Sequence, residues 1–218
     1  MGSVQIFCGC IDDEERRNSI IRNGKTLAMV GFDYLDYEKG WEIWANFSCN
    51  FAEYENIGMQ SMIDKIRKED MSNRKVIMSV TEIGDILDSC GSTQNEILFI
   101  NGFLRQLGKI GEENGQVILR GDLQRFNDLQ KRFRIHTSDI FISGKFHRDD
   151  NTLCNSSKCK RPHKIKVVQE KPRYDDRPVR IFNAVIVGKM YDTYQVVKDQ
   201  LKIPSKKELK IIENGEDN

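Results

Sequence analysis

Residues 18–28 read NSIIRNGKTLA. The tripeptide Gly24-Lys25-Thr26 within them has the composition that closes a phosphate-binding loop. In such a loop glycine lets backbone N–H groups curl round a phosphate, lysine adds a point charge, and the threonine hydroxyl ligates magnesium. That chemistry needs a strand before the loop and a helix after it. Both are expected here: VQIFCG (4–9) is a short apolar run, and KTLAMVGFDYL (25–35) sets Leu27, Val30, Gly31, Tyr34 and Leu35 on one helical face. The spacing is unusual. The glycine expected five positions before Gly24 is Ser19, and the glycine that ends the first strand is Gly9, with fourteen residues between it and Gly24 where an ordinary loop has four. An excursion over residues 10–21 accounts for this. It leaves Gly9, Arg22, Asn23, Gly24, Lys25 and Thr26 as the nucleotide-binding positions, with Thr26 on magnesium. Asp12, Asp13, Glu14 and Glu15 in the excursion would have to point away from phosphate.

Outward from the loop, strand-like and helix-like segments continue to alternate. WEIWANF (41–47) predicts a strand and completes a βαβ unit; IGMQSMIDKIRKE (57–69) carries Met59, Met62, Ile63 and Ile66 at helical spacing. In SVTEIGDILDS, Ser79 and Glu82 have the spacing of a capping box, which predicts a helix start. NEILFI (95–100) reads as a fully apolar strand of the kind found inside parallel sheets, and QVIL (116–119) repeats that signal. DLQRFNDLQKRFR (122–134) predicts an amphipathic helix with Leu123, Phe126, Leu129 and Phe133 inward, and SDIFISGKF (138–146) another strand. After a polar stretch, IKVVQ (165–169) and RIFNAVIVG (180–188) resume strand patterning, and KMYDTYQVVKDQ (189–200) predicts a last helix. Such alternation argues for a three-layer α/β domain with a mainly parallel sheet.

Bulk properties fit that class. A chain of 218 residues with 31% charged and 39% hydrophobic side chains can bury one good-sized core. Its 34 basic and 33 acidic residues nearly cancel, so attraction to nucleic acid would have to come from a local patch. No apolar run approaches the roughly 20 residues that cross a bilayer, so no direct membrane insertion is expected, and a cytoplasmic location is. Six cysteines in such a chain read as thiols and not as a disulfide framework.

A P-loop ATPase also needs an apolar strand ending in Asp-Glu, one acid to orient magnesium and one to activate water. ILFINGF is the segment matched to it, with Asn101 and Gly102 in the places of the acids. The third element is VILRGDLQRFNDLQKRFR, in which Gln124 is the sensor candidate and Asp128, Arg132 and Arg134 end the helix; RGDL intrudes between strand and sensor. On these segments, in this order, residues 4–146 resemble the FtsK/HerA superfamily of DNA-pumping ATPases, especially viral genome-packaging ATPases and zonula-occludens-toxin-like proteins. The resemblance implies a RecA-like P-loop NTPase core with a small C-terminal strand and helix extension. It implies ATP and magnesium as cofactors, double-stranded DNA as partner, a homo-oligomeric ring, and an arginine finger supplied by Arg132 or Arg134. A capsid or membrane-complex protein would be a further partner. Lys25, Asn101, Gln124, Arg132 and Arg134 are then the catalytic candidates. The departures at the loop and at Asn101-Gly102 all touch chemistry, which makes a non-hydrolysing structural or regulatory paralogue the alternative.

One segment falls outside that pattern. His147, Cys154, Cys159 and His163 stand within seventeen residues of a polar excursion, and four N/S ligands suffice for a closed, structural zinc site. Beside them Lys158, Lys160, Arg161, Lys164 and Lys166 form a basic cluster able to lie on DNA phosphates. The expected organisation is therefore an ATPase-like core over 1–146, the Cys/His excursion over 147–164, strands and a helix completing the domain over 165–204, and a charged tail over 205–218.

Overall fold

The computed structural model describes residues 3–10, 24–86, 102–104, 107, 116–129, 131–154, 156, 158–171 and 175–192. Its strands are β1 (Ser3–Cys10), β2 (Glu42–Ala45), β3 (Ser48–Cys49), β4 (Lys75–Val80), β5 (Gln116–Arg125), β6 (Asp139–His147), β7 (His163–Lys171), β8 (Asp175–Asn183) and β9 (Tyr191–Asp192). Its helices are α1 (Lys25–Tyr37), α2 (Met59–Lys68), α3 (Ile83–Ile86), α4 (Lys131–His136) and α5 (Ala184–Val187).

Seven strands form one sheet in the order β2-β4-β5-β1-β6-β7-β8. The pairs from β2 through β6 are all parallel, and β7 and β8 join antiparallel at one end. From β1 the chain runs to the β2 edge, returns through β4 and β5, and then passes β1 to reach β6. Right-handed crossovers put connections running in opposite directions on opposite faces of a sheet. Hence α1 packs on one face, with Ala28, Met29 and Val30 against Phe7, Phe141, Ile165 and Val167. The other face carries α2 through Met59, Met62, Ile63 and Ile66, together with Ile83 of α3 and Phe133 of α4. This is a three-layer α/β architecture with a P-loop NTPase-like strand order. β1 and β5 are neighbours whose connections leave in opposite directions, and the crevice at their carboxyl ends is where ligands bind in open α/β sheets.

Sequence signals account for most of these elements. β4 is buried at every position after Lys75, the continuous apolar signature of a strand covered on both faces. The Met/Ile stripe of residues 59–66 is fully inward, as its spacing predicts.

Several expectations are corrected. Ser79 is not a helix cap: it lies in β4, where its hydroxyl donates to Asp33 at 2.6 Å, and Glu82 follows in a turn with φ 54°. RGDL does not intrude on a strand, because β5 runs unbroken from Gln116 to Arg125, with Gly121 and Asp122 in its ladder with β1 and Gly121 also in its ladder with β4. The helix expected over 122–134 is consequently reduced to a 3-10 turn at Phe126–Asp128 and to α4. Leu123, Phe126, Leu129 and Phe133 are nonetheless all buried, so a pattern of inward positions compatible with one helix is met by strand, turn and helix in succession. The strand expected over 180–188 ends at Asn183, whose side chain accepts from the Val185 backbone N–H and starts α5. Tyr191–Asp192, expected within a helix, instead pair with β3. The strand expected over 95–100 and the tail over 205–218 lie outside the described residues; residues 102–104 are helical.

Candidate nucleotide site and Cys/His cluster

Gly24 stands at the N-terminus of α1 with φ 115°, a left-handed conformation that side chains resist, and its carbonyl accepts from the Ala28 N–H at 2.7 Å to open the helix. A Cβ there would also come within 2.7 Å of the Ile165 side chain on β7. Glycine is thus demanded twice at this turn.

The next two side chains converge on one acid. Lys25 Nζ is 3.6 Å from Asp122 Oδ2, and the Thr26 hydroxyl donates to the same oxygen. Asp122 is fully buried on β5. Its other oxygen accepts from the Thr81 hydroxyl at 3.0 Å and from the Glu82 backbone N–H at 2.6 Å. A buried carboxylate is costly unless paired and hydrogen-bonded, and this one is both. Thr81, just past β4, is itself fixed from β2: Asn46 Oδ1 accepts from the Thr81 N–H at 2.8 Å and Asn46 Nδ2 donates to the Thr81 carbonyl at 3.3 Å. The carboxyl ends of β2, β4 and β5 are thereby tied to the first turn of α1. Below this point Arg120 of β5, also buried, pairs with Asp33 and Asp36 of α1 at 2.7 and 2.8 Å and donates to Gln5 of β1. Burial pushes the Asp33 carboxyl above its ordinary range, against the opposing pull of Arg120 and Ser79.

Of the residues singled out from sequence, Gly9 is the penultimate residue of β1, which runs on to Cys10, and Gly24, Lys25 and Thr26 are brought together with Asp122. Arg22, Asn23 and Asn101 lie outside the described residues. Gln124 sits on β5, two residues beyond Asp122 and by strand alternation on the same face of the sheet. Arg134 is on α4, on the face opposite α1, where it donates to Asn127 at 2.5 Å; Arg132 shares that helix. The residues missed are Asn46, Thr81, Glu82 and Asp122. A usable signal existed in KVIMSVTE, an apolar run ending in a polar residue and an acid, which β4 and its turn now occupy.

A second cluster lies on the β6–β7 hairpin. His147 and His163 face one another across its ladder, and the turn between them returns Cys154 and Cys159 to the same place. One ligand atom from each of the four residues lies within 4.8 Å of every other. A zinc tetrahedron with bonds of about 2.0–2.3 Å has edges of about 3.3–3.8 Å, so the set needs to contract by about 1.5 Å at most. Among the described residues, His163 Nε2 is buried without a hydrogen-bond partner, and Cys154 is buried too. Burial, with Lys145, His147 and Arg161 nearby, holds the His163 imidazole below its ordinary pKa and so neutral, the form that ligates metal.

The other histidine is oriented by a relay. The Thr152 hydroxyl donates to Asp150 at 2.6 Å, which leaves its oxygen to accept from His147 Nδ1 at 2.9 Å. The proton is therefore assigned to Nδ1 and the lone pair to Nε2, the nitrogen 3.5 Å from Cys159 Sγ. This donor set fits a tetrahedral metal with no open position. The basic cluster beside it is less available than its sequence suggests, since Arg161 is engaged by Asp149 and Asp150 at 2.6 Å each and Lys166 lies 4.4 Å over the Phe146 ring.

No protein-family model and no curated protein matches this chain. Among solved structures, the N-terminal domain of zonular occludens toxin from Neisseria meningitidis is similar, with 16% identity and a TM-score of 0.48 over 88% of this chain and 100% of that one. Among the described residues, no helix is long and apolar enough to cross a membrane.

Proposed function

We propose that this chain is a P-loop ATPase that binds magnesium-ATP at Gly24, Lys25 and Thr26. The observation that carries the reading is the convergence of Lys25 and Thr26 on a buried acid near the carboxyl ends of β1 and β5, at the mouth of a helix whose N-cap residue, Gly24, has a left-handed φ of 115°. In this reading the N–H groups of the first turn of α1 and the Lys25 ammonium take the phosphate oxygens, and the Thr26 hydroxyl turns from Asp122 toward magnesium. Magnesium, when bound, neutralises charge between the two terminal phosphates. In this reading Glu82, on the turn after β4, supplies the carboxylate that accepts a proton from water, a role that Asn101-Gly102 lacked the chemistry to fill. Duplex DNA as partner and a ring as assembly, with Arg132 or Arg134 reaching a neighbouring subunit, follow from the resemblance and complete the proposal as a DNA-translocating or packaging motor.

Phosphate release from magnesium-ATP, with and without duplex DNA, tests it. Turnover is expected in the native chain. Lys25→Ala should lose nucleotide binding, whereas Glu82→Gln should bind ATP yet turn over about 100-fold more slowly. Binding without turnover in the native chain would favour the non-hydrolysing paralogue, a reading supported by Thr81 standing where an acid is expected. Absence of binding at millimolar ATP would remove both.

We further infer that His147, Cys154, Cys159 and His163 hold one structural zinc ion, carried by their convergence and by the orphaned His163 Nε2. Metal analysis should find stoichiometric zinc in the native protein and none after Cys154 and Cys159 are both changed to Ser; folded, metal-free native protein would end this reading.

A further inference from the structure

We propose that Asp122, on β5, is the acid that orients magnesium in this site, and that Thr81 on the neighbouring strand has given up that part and become its hydrogen-bond partner. This rests on the nucleotide reading above. An acid at the end of the strand that contains Ser79 and Val80 would fall at Thr81, whose hydroxyl instead donates to Asp122. β4 and β5 pair in parallel with Val80 opposite Gly121, so the next residues along, Thr81 and Asp122, stand side by side. An acid and a hydroxyl exchanged between these two positions would stay within one strand spacing, about 4.8 Å, of their former places.

Three features mark Asp122 as more than a structural carboxylate. It is fully buried, so its charge is not dispersed by water. Its Oδ2 is held by the two groups of the loop that themselves address phosphate and metal, Lys25 and Thr26. Its Oδ1 is pinned separately by Thr81 and by the Glu82 N–H, which leaves Oδ2 free to turn to a metal-bound water without loss of orientation once Thr26 and Lys25 move to the nucleotide. The Glu82 N–H bond has a second effect: it fixes the backbone of the residue proposed as base beside the acid. Hard cations such as magnesium favour oxygen donors and keep several waters, so one hydroxyl, one carboxylate acting through water and two phosphates form a sufficient set.

ATP affinity measured by calorimetry with magnesium and with EDTA distinguishes the possibilities. Magnesium should tighten ATP binding about tenfold or more in the native chain and less than about twofold in Asp122→Asn, with affinity in EDTA unchanged or improved because a negative charge near the phosphates is gone. Thr81→Ala should keep most of the magnesium gain. If Asp122→Asn fails to fold, the exchange variant Thr81→Asp/Asp122→Thr decides, since it returns the acid to β4 and should retain the gain. A folded Asp122→Asn with the full gain, a folded exchange variant without it, or a native chain that binds ATP equally well with and without magnesium would overturn the inference and leave nucleotide binding standing. A native chain that binds no ATP at all would overturn both.

Discussion

Arg120 shows how much one residue can commit to this fold. It is buried in mid-sheet and its partners come from β1 and α1, so replacing it with Met strands the Asp33 carboxylate without its counter-charge. Breaking one side of a buried pair costs about 3–5 kcal/mol, and chemical denaturation of Arg120→Met should show a loss of that size. The loss should also depend on pH. Burial raises Asp33 above its ordinary range, and without Arg120 nothing comparable opposes it. A carboxyl raised in the folded state keeps its stability at pH below its unfolded value and loses it as pH rises through the folded one. The variant should therefore be relatively less destabilised at about pH 5 than at about pH 8. Gly24 makes the opposite point about size. Gly24→Ala forces a side chain into φ 115° and against Ile165, and should cost about 1–2 kcal/mol; adding Ile165→Ala should recover only the contact part, because the backbone strain persists.

Elements were legible where one signal decided them and illegible where two competed. The α2 stripe has a single interpretation, as does α1 behind its glycine. SVTE satisfied a capping box, yet the burial available between β2 and β5 made a strand of Ser79 and Val80, and the box was overridden. Gly121 lies within the RGDL read as an intrusion; Ile83 of α3 lies 2.7 Å from where its Cβ would be, so there is no room for a side chain without a shift. The acid of the site was hidden for the same reason, being read as part of an intrusion. At this scale the surface pairing of Arg74 with Glu42 of β2 and Glu69 beyond α2 is testable. Hydrogen bonds from Arg74 outweigh partial burial and hold the Glu42 carboxyl below its ordinary range. Its contribution is present above the unfolded pKa and fades as pH falls through the folded one. Being only partly buried, the pair should be worth about 1 kcal/mol or less, and Arg74→Leu should flatten the acid side of a stability–pH profile by that amount.

For the whole molecule, a three-layer α/β domain with a mainly parallel sheet was recoverable from alternation, whereas the order β2-β4-β5-β1-β6 was not, because alternation does not say which strands are neighbours. The antiparallel addition of β7 and β8 was not, because nothing in IKVVQ or RIFNAVIVG states the direction of its neighbour. Those strands end the sheet in an edge on which Val179 and Ile181 are exposed, with Val185 and Ile186 of α5 beside them. β7 also forms, with β6, the hairpin on which the metal is proposed to sit. Chelation should lower the melting temperature of native protein and leave that of the Cys154→Ser/Cys159→Ser variant unmoved, as mass action requires of a ligand bound only by the folded state.

The contact between Gly24 and Ile165 joins the two sites, because Ile165 is only two residues along β7 from His163. If metal steadies that strand and the strand braces the phosphate turn, the two ligands share a coupling free energy, and coupling of this kind runs equally in both directions. The factor by which zinc strengthens ATP binding must then equal the factor by which ATP strengthens zinc binding, read from equilibrium competition with a chelator. Two titrations, each performed with and without the other ligand, measure the same number, and truncating Ile165 to Ala should bring both toward one.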